Sequence, residues 1–144
     1  MSVPKRIDSS RLQVIPFLKW RDKRFAKWIE QQKSNFIDDK PEVLNYLQNA
    51  YCVSAVPGFE RDPFNSHQAI AIAPNKRTDG TWVWVETIAY WVENYDLKLV
   101  PTFLAHIREL DYKPPKLMLS DFQGDFPWVN DTSYFEPKQN KGTD

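Results

Sequence analysis

The segment from residue 78 to residue 110 constrains the fold most, because a tight turn, an extended run and two helical patterns follow one another within it. Thr78-Asp79-Gly80 is a tight-turn sequence. Trp82-Val83-Trp84-Val85 then predicts a strand with both Trp side chains on one face and both Val side chains on the other. Apolar residues three and four apart predict a helix at 88–95 and a second helix that begins at Pro101.

Other segments predict further elements of both kinds. Apolar spacing between residues 17 and 33 predicts an amphipathic helix. Asp38 or Asp39 can cap the next helix, which has Pro41 near its first turn. Residues rich in strand formers or alternating in polarity predict strands at 12–14, 51–56, 68–73 and 116–119.

Helices and strands are mixed along the chain without regular βαβ alternation, which favours an α+β fold over a doubly wound one. We expect a single compact domain over residues 1–138, with a small, mostly antiparallel sheet packed against about four helices. The polar terminal segment 139–144 is expected to be a disordered tail.

Cysteine usage and hydropathy indicate a cytoplasmic protein. Cys52 is the single cysteine of the 144 residues, so no intrachain disulfide framework can form. The longest apolar runs are far shorter than the ~20 residues that span a bilayer, and the first residues lack an apolar signal core. We therefore expect no membrane partner.

Motifs for catalysis and cofactor binding are missing from the sequence. The four glycines form neither a P-loop nor a dinucleotide fingerprint, and His67 and His106 have no cysteine pair at zinc-ligand spacing. Phe122 and Phe126 occupy positions where a calcium loop around Gly124 would need oxygen ligands. We predict no cofactor, no metal ligand and no catalytic residue, although carboxylates that are dispersed in sequence could still pair in space.

Charge is unevenly distributed. Residues 1–40 contain ten basic and five acidic residues, whereas the windows 78–97 and 117–137 contain no Lys or Arg. Each window is either a solvated face balanced by the basic N-terminal region or a docking surface for a cationic partner. In the second interpretation, the partner-facing acidic groups are Asp79, Glu86, Glu93 and Asp96, or Asp121, Asp125 and Asp131. The aromatic anchors of the later window would be Phe122, Phe126, Trp128 and Tyr134.

The predicted helix at 17–33 suggests an alternative function. Its cations alternate with aromatic residues, as they do on surfaces that bind single-stranded nucleic acid. The same aromatic residues are equally explained as core, and zero net charge with a pI near 6.7 argues against a typical nucleic-acid binder.

Three runs within residues 78–107 carry a family resemblance. They are Thr78-Asp79-Gly80-Thr81-Trp82-Val83-Trp84, the segment from Ile88 to Tyr95, and the segment from Leu99 to Ile107. This pattern resembles small bacterial proteins, some of which look like immunity proteins of polymorphic or contact-dependent growth inhibition systems. The resemblance implies a non-catalytic cytoplasmic protein that neutralises a cognate toxin, such as a nuclease or another cationic toxin domain. Such a protein acts by surface complementarity and needs no enclosed cavity with converging titratable groups.

Overall fold

The computed structural model describes residues 6–33, 38–129, 131 and 133–137, which form four α-helices and eight short β-strands. The helices are α1 (Phe25–Gln31), α2 (Lys40–Asn49), α3 (Ile88–Tyr95) and α4 (Pro101–Glu109). The strands are β1 (Ile7–Asp8), β2 (Gln13–Val14), β3 (Tyr51–Ser54), β4 (Arg61–Asp62), β5 (Gln68–Ala69), β6 (Lys76–Thr78), β7 (Trp82–Val85) and β8 (Phe122–Gln123).

The largest sheet has four strands in the order β2-β7-β6-β3. The pairs β7-β6 and β6-β3 are antiparallel, and β2 runs parallel to β7 with Gln13 opposite Trp82. Two smaller pairs flank it: β1 lies parallel to β8, and β4 lies antiparallel to β5. The predicted class, a single α+β domain with a mostly antiparallel sheet, is confirmed.

Strand β7 is the centre of the core. All four of its residues are buried, as expected for a strand covered on both faces. Trp84 is fully buried, stacks on Tyr46 of α2 with ring centroids 6.0 Å apart, and contacts Phe103 of α4 at 5.1 Å. Its indole N–H donates to the carbonyl of Leu47 at 3.0 Å, which satisfies the one polar group of the ring.

Three predicted helices form close to their predicted bounds. Proline near the start of α2 and of α4 has no N–H to donate, which suits the first turn of a helix. Helix α3 ends at Asp96, whose positive φ of 53° breaks the helical path.

The helix predicted at 17–33 forms only from Phe25 to Gln31. The Asp22 carboxylate accepts the backbone N–H of Arg24 at 2.8 Å and holds the preceding residues in a turn. Further upstream, the N–H of Phe17 donates to the carbonyl of Phe135 at 2.7 Å, which ties this part of the chain to the C-terminal segment.

Two predicted strands also differ. Residues 68–73 contribute only Gln68–Ala69 to a strand, and 116–119 leads into a 3-10 turn at Leu119–Asp121 before β8. The carboxylate of Asp121 accepts the N–H of Met118 at 2.9 Å and closes that turn. The tail predicted at 139–144 lies outside the described residues. No helix in the described part of the chain has the length and apolar character to cross a bilayer.

Candidate functional site

Asp79, the first acidic residue of the window 78–97, is buried inside the protein. Its side chain is buried, and its Oδ1 accepts the backbone N–H groups of Thr81 and Trp82 at 2.9 and 2.7 Å. Its Oδ2 accepts the hydroxyl of Tyr46 at 2.6 Å. The expectation that Asp79 faces a partner is therefore wrong, because the carboxylate is used to close the turn before β7.

Glu86 is also buried, with 8% of the residue exposed. Its Oε1 accepts the Arg77 Nε–H at 2.9 Å and the side-chain amide of Asn75 at 3.3 Å. The expectation that Glu86 faces a partner is likewise corrected, because the pair neutralises a charge between β6 and the end of β7. Glu93 is exposed on α3, while Asp96 is half-buried and forms a 2.6 Å ion pair with Lys40. The earlier window thus presents no continuous acidic surface.

The later window places a connected row of aromatic rings at the surface. Phe126 stacks on Trp128 with centroids 4.8 Å apart and meets Phe122 at 5.4 Å. Trp128 continues the row to Tyr134 at 5.9 Å, and Phe122 continues it to Tyr51 of β3 at 5.9 Å. All these rings are half-buried. We call this set, completed by Phe135 at 5.8 Å from Trp128, the aromatic ladder.

Acidic and apolar side chains accompany the ladder. Asp125 and Asp131 are exposed, and Asp121 is half-buried. Among the described residues, three of the five large hydrophobic side chains that are exposed belong to the same window. These are Met118, Leu119 and Val129 at 61%, 63% and 68% exposure. A contiguous exposed apolar patch marks an interaction surface, whereas single exposed apolar side chains are ordinary.

The basic region at 17–33 directs most of its rings inward. Phe25 is buried, and Trp28 packs edge-on against Phe17 with centroids 5.4 Å apart. Trp20 is half-buried, and the Arg21 guanidinium lies 4.9 Å from the centre of its ring. The basic region 17–33 therefore lacks a row of exposed rings on which bases could stack.

A groove that the sequence did not predict lies beside the ladder. It has a volume of about 490 Å³ and is bounded by the segment 17–21, the loop before β4, the start of β6 and the C-terminal segment. Trp128 and Asp131 line it as well as belonging to the later acidic window. Glu60 and Lys76 also line it, so titratable groups do converge in a cavity of this protein. These two residues are sixteen positions apart with no shared motif, so only the folded chain shows them together.

The described residues contain no candidate metal site and no paired nucleophile and base. No group of three or more His, Cys, Asp or Glu side chains there could hold a metal ion. Cys52 is half-buried in β3, and His106 lies 3.4 Å from the buried Asp79 carboxylate rather than from a thiol or a serine.

Comparisons of the chain with protein-family models, with curated proteins and with solved structures find no match. The resemblance of residues 78–107 to immunity proteins therefore stays a prediction.

Proposed function

We propose that this chain is a non-catalytic, cytoplasmic binding protein that neutralises a cognate bacterial toxin by covering a cationic surface of it. The observation that carries the proposal is the aromatic ladder, whose half-buried rings, except Tyr51, lie in a window of the chain that contains no Lys or Arg. Aromatic rings supply much of the binding energy at the centres of protein interfaces.

Charge complementarity favours a cationic occupant for this surface. Asp125 and Asp131 are exposed beside Trp128, and Asp121 lies next to Phe122 in the chain. An acidic field accelerates encounter with a cationic domain, while buried rings slow its release. Toxin domains that act on nucleic acid carry such cationic clefts, because they must bind phosphate backbones.

The nucleic-acid alternative fits the geometry less well. Acidic groups along the ladder repel phosphates, and the rings of the basic region pack into the core. Among the surfaces of the described chain, the ladder therefore suits a cationic protein better than an anionic polymer.

The test uses the protein encoded by the reading frame immediately upstream of this gene. We expect that protein to arrest growth when expressed alone, growth to recover when this chain is coexpressed, and the purified pair to bind at submicromolar Kd. Trp128→Ala and the double variant Asp125→Lys/Asp131→Lys should each weaken binding at least about tenfold, or about 1.4 kcal/mol.

Glu42→Lys is the matched control, because Glu42 is exposed on α2 outside both acidic windows. Thermal unfolding of each variant separates lost binding from lost folding. Unchanged affinity in both ladder variants, with the protein folded, would contradict the proposed surface. Absence of both growth rescue and binding would contradict the proposed function.

A further inference from the structure

Six charged residues line the groove: Lys19, Arg21, Glu60, Lys76, Asp131 and Glu136. Glu60 and Lys76 attract each other but form no salt bridge. Glu60 and Lys76 have no ion-pair partner in the described chain, and Glu60 Oε1 is buried without a hydrogen bond. The Thr87 hydroxyl lies near enough to Glu60 to favour its ionised carboxylate, but it makes no hydrogen bond of normal geometry. The Lys76 ammonium group lies 5.7 Å from the centre of the Phe135 ring.

Burial acts against both charges. It raises the pKa of Glu60, although Thr87, Lys76 and Lys19 partly favour the ionised carboxylate. Burial likewise lowers the pKa of Lys76. A desolvated charge without a direct ion-pair partner destabilises a fold, and residues kept at such a cost are frequently ligand-binding groups.

The remaining walls of the groove are mostly apolar. Phe17, Trp20, Phe59 and Trp128 supply aromatic surface, and Val56 adds an aliphatic side chain. Small-molecule sites in proteins combine such walls with a few polar groups, in cavities of about 300–1,000 Å³. The observed volume of about 490 Å³ falls within that range.

We propose that this groove binds a small zwitterion with an apolar body, an amino-acid-like molecule whose ammonium group pairs with Glu60 and whose carboxylate pairs with Lys76. A ligand carrying only a cation would leave Lys76 unpaired, and one carrying only an anion would leave Glu60 unpaired. Sites with buried polar groups discriminate strongly against ligands that leave those groups without partners. Lys19, on the same groove, adds positive charge near both Glu60 and Lys76.

Three probes of matched size test this assignment by titration calorimetry. L-phenylalanine carries both charges, phenethylamine lacks the carboxylate, and 3-phenylpropionate lacks the ammonium group. We expect saturable binding of L-phenylalanine and at least about tenfold weaker binding of each analogue, which corresponds to about 1.4 kcal/mol for the missing ion pair. No saturation by L-phenylalanine at about 10 mM, or equal affinity for either analogue, overturns the proposal.

Two variants connect binding to the named residues. Glu60→Gln and Lys76→Met should each weaken L-phenylalanine binding at least about tenfold, whereas Glu93→Gln and Lys98→Met should not, because both control residues are exposed outside the groove. Without ligand, both groove variants should unfold at higher temperature than the unaltered chain, since each removes a desolvated charge. A lower unfolding temperature would assign Glu60 and Lys76 a structural role instead. These titrations use this chain and the small probes alone, so their result does not depend on whether the chain binds a toxin.

Discussion

The hydroxyl of Tyr46, on α2, donates a 2.6 Å hydrogen bond to the buried carboxylate of Asp79. The other oxygen of Asp79 holds the backbone N–H groups of Thr81 and Trp82. One side chain therefore fixes both the turn before β7 and the position of α2 against the sheet. Burial, followed by the hydrogen bond to Asp79, raises the pKa of Tyr46 and keeps it protonated as the donor.

Tyr46→Phe should lower the free energy of unfolding by about 2 kcal/mol, because it removes a buried hydrogen bond to a charged acceptor. Urea denaturation measures the change. Tyr51→Phe is the control: Tyr51 is half-buried, and its hydroxyl has no hydrogen-bond partner among the described residues. Equal stability losses in the two variants would show that the Tyr46 hydroxyl contributes nothing specific.

Asp39 should make stability depend on acid pH. Its carboxylate accepts two hydrogen bonds from Arg108, at 2.8 and 3.0 Å, and one from Tyr112 at 2.5 Å. The Arg108 bonds are the main reason that the pKa of Asp39 falls from 3.8 to about 2. Since the folded pKa is the lower one, this stabilisation is fully present above pH 3.8 and is lost as the pH falls towards 2.

Asp39→Asn should therefore cost about 1 kcal/mol at pH 7, a modest value because the site is partly open to solvent. The difference between the variant and the unaltered chain should shrink between about pH 4 and pH 2. Denaturant titrations over this range measure it. Asp111→Asn, which removes a carboxylate that is 80% exposed, is the control. A constant difference for Asp39→Asn across the range would contradict the assigned linkage.

Two features disfavour any residue other than glycine at position 80: the backbone conformation and a close neighbour. Its φ is +89°, and a Cβ there would lie 3.0 Å from the Cδ1 atom of Ile7. Gly124 has a similar φ of +87° but open space around the position of a Cβ. Both Gly→Ala changes should destabilise the protein by about 1–2 kcal/mol through the backbone, with a further loss of about 1 kcal/mol at Gly80 alone. Thermal denaturation compares them, and identical losses would rule out the steric term.

Kinetics should separate the two contributions of the proposed docking surface. With the upstream-encoded partner, Asp125→Lys/Asp131→Lys should lower the association rate and its salt dependence, because exposed charges steer the encounter. Trp128→Ala should instead raise the dissociation rate, because it removes apolar contact area. Surface plasmon resonance at several salt concentrations measures both rates. The opposite assignment of rates would refute the division of roles between the acids and the ring.

Local sequence patterns predicted the elements whose stability is decided locally. The turn at Thr78-Asp79-Gly80, strand β7 and helices α2, α3 and α4 all follow from residue spacing and proline position. Strand β6 was not predicted, because Lys76-Arg77-Thr78 has no apolar alternation and gains its strand conformation from pairing with β3 and β7.

The candidate site was predictable only in part. The window 117–137 stood out because it combines aromatic rings with acidic residues and lacks bases. A run of acidic residues without bases was misleading at Asp79 and Glu86. Such a charge pattern does not show whether a carboxylate is hydrogen-bonded within a turn or paired with an internal cation. The groove joins Glu60, Lys76 and Trp128 from distant parts of the chain, and one-dimensional spacing carries no sign of that arrangement.

The pairing of β1 with β8 sets the order in which the molecule can be completed. Ile7 pairs with Phe122, and Phe17 is hydrogen-bonded to Phe135. These N-terminal residues therefore cannot make their native contacts until the C-terminal residues have been synthesised. During synthesis on the ribosome, the four-stranded sheet can assemble before residue 122 emerges. The aromatic ladder cannot assemble until after that point. The proposed docking surface is thus completed at the final stage of folding.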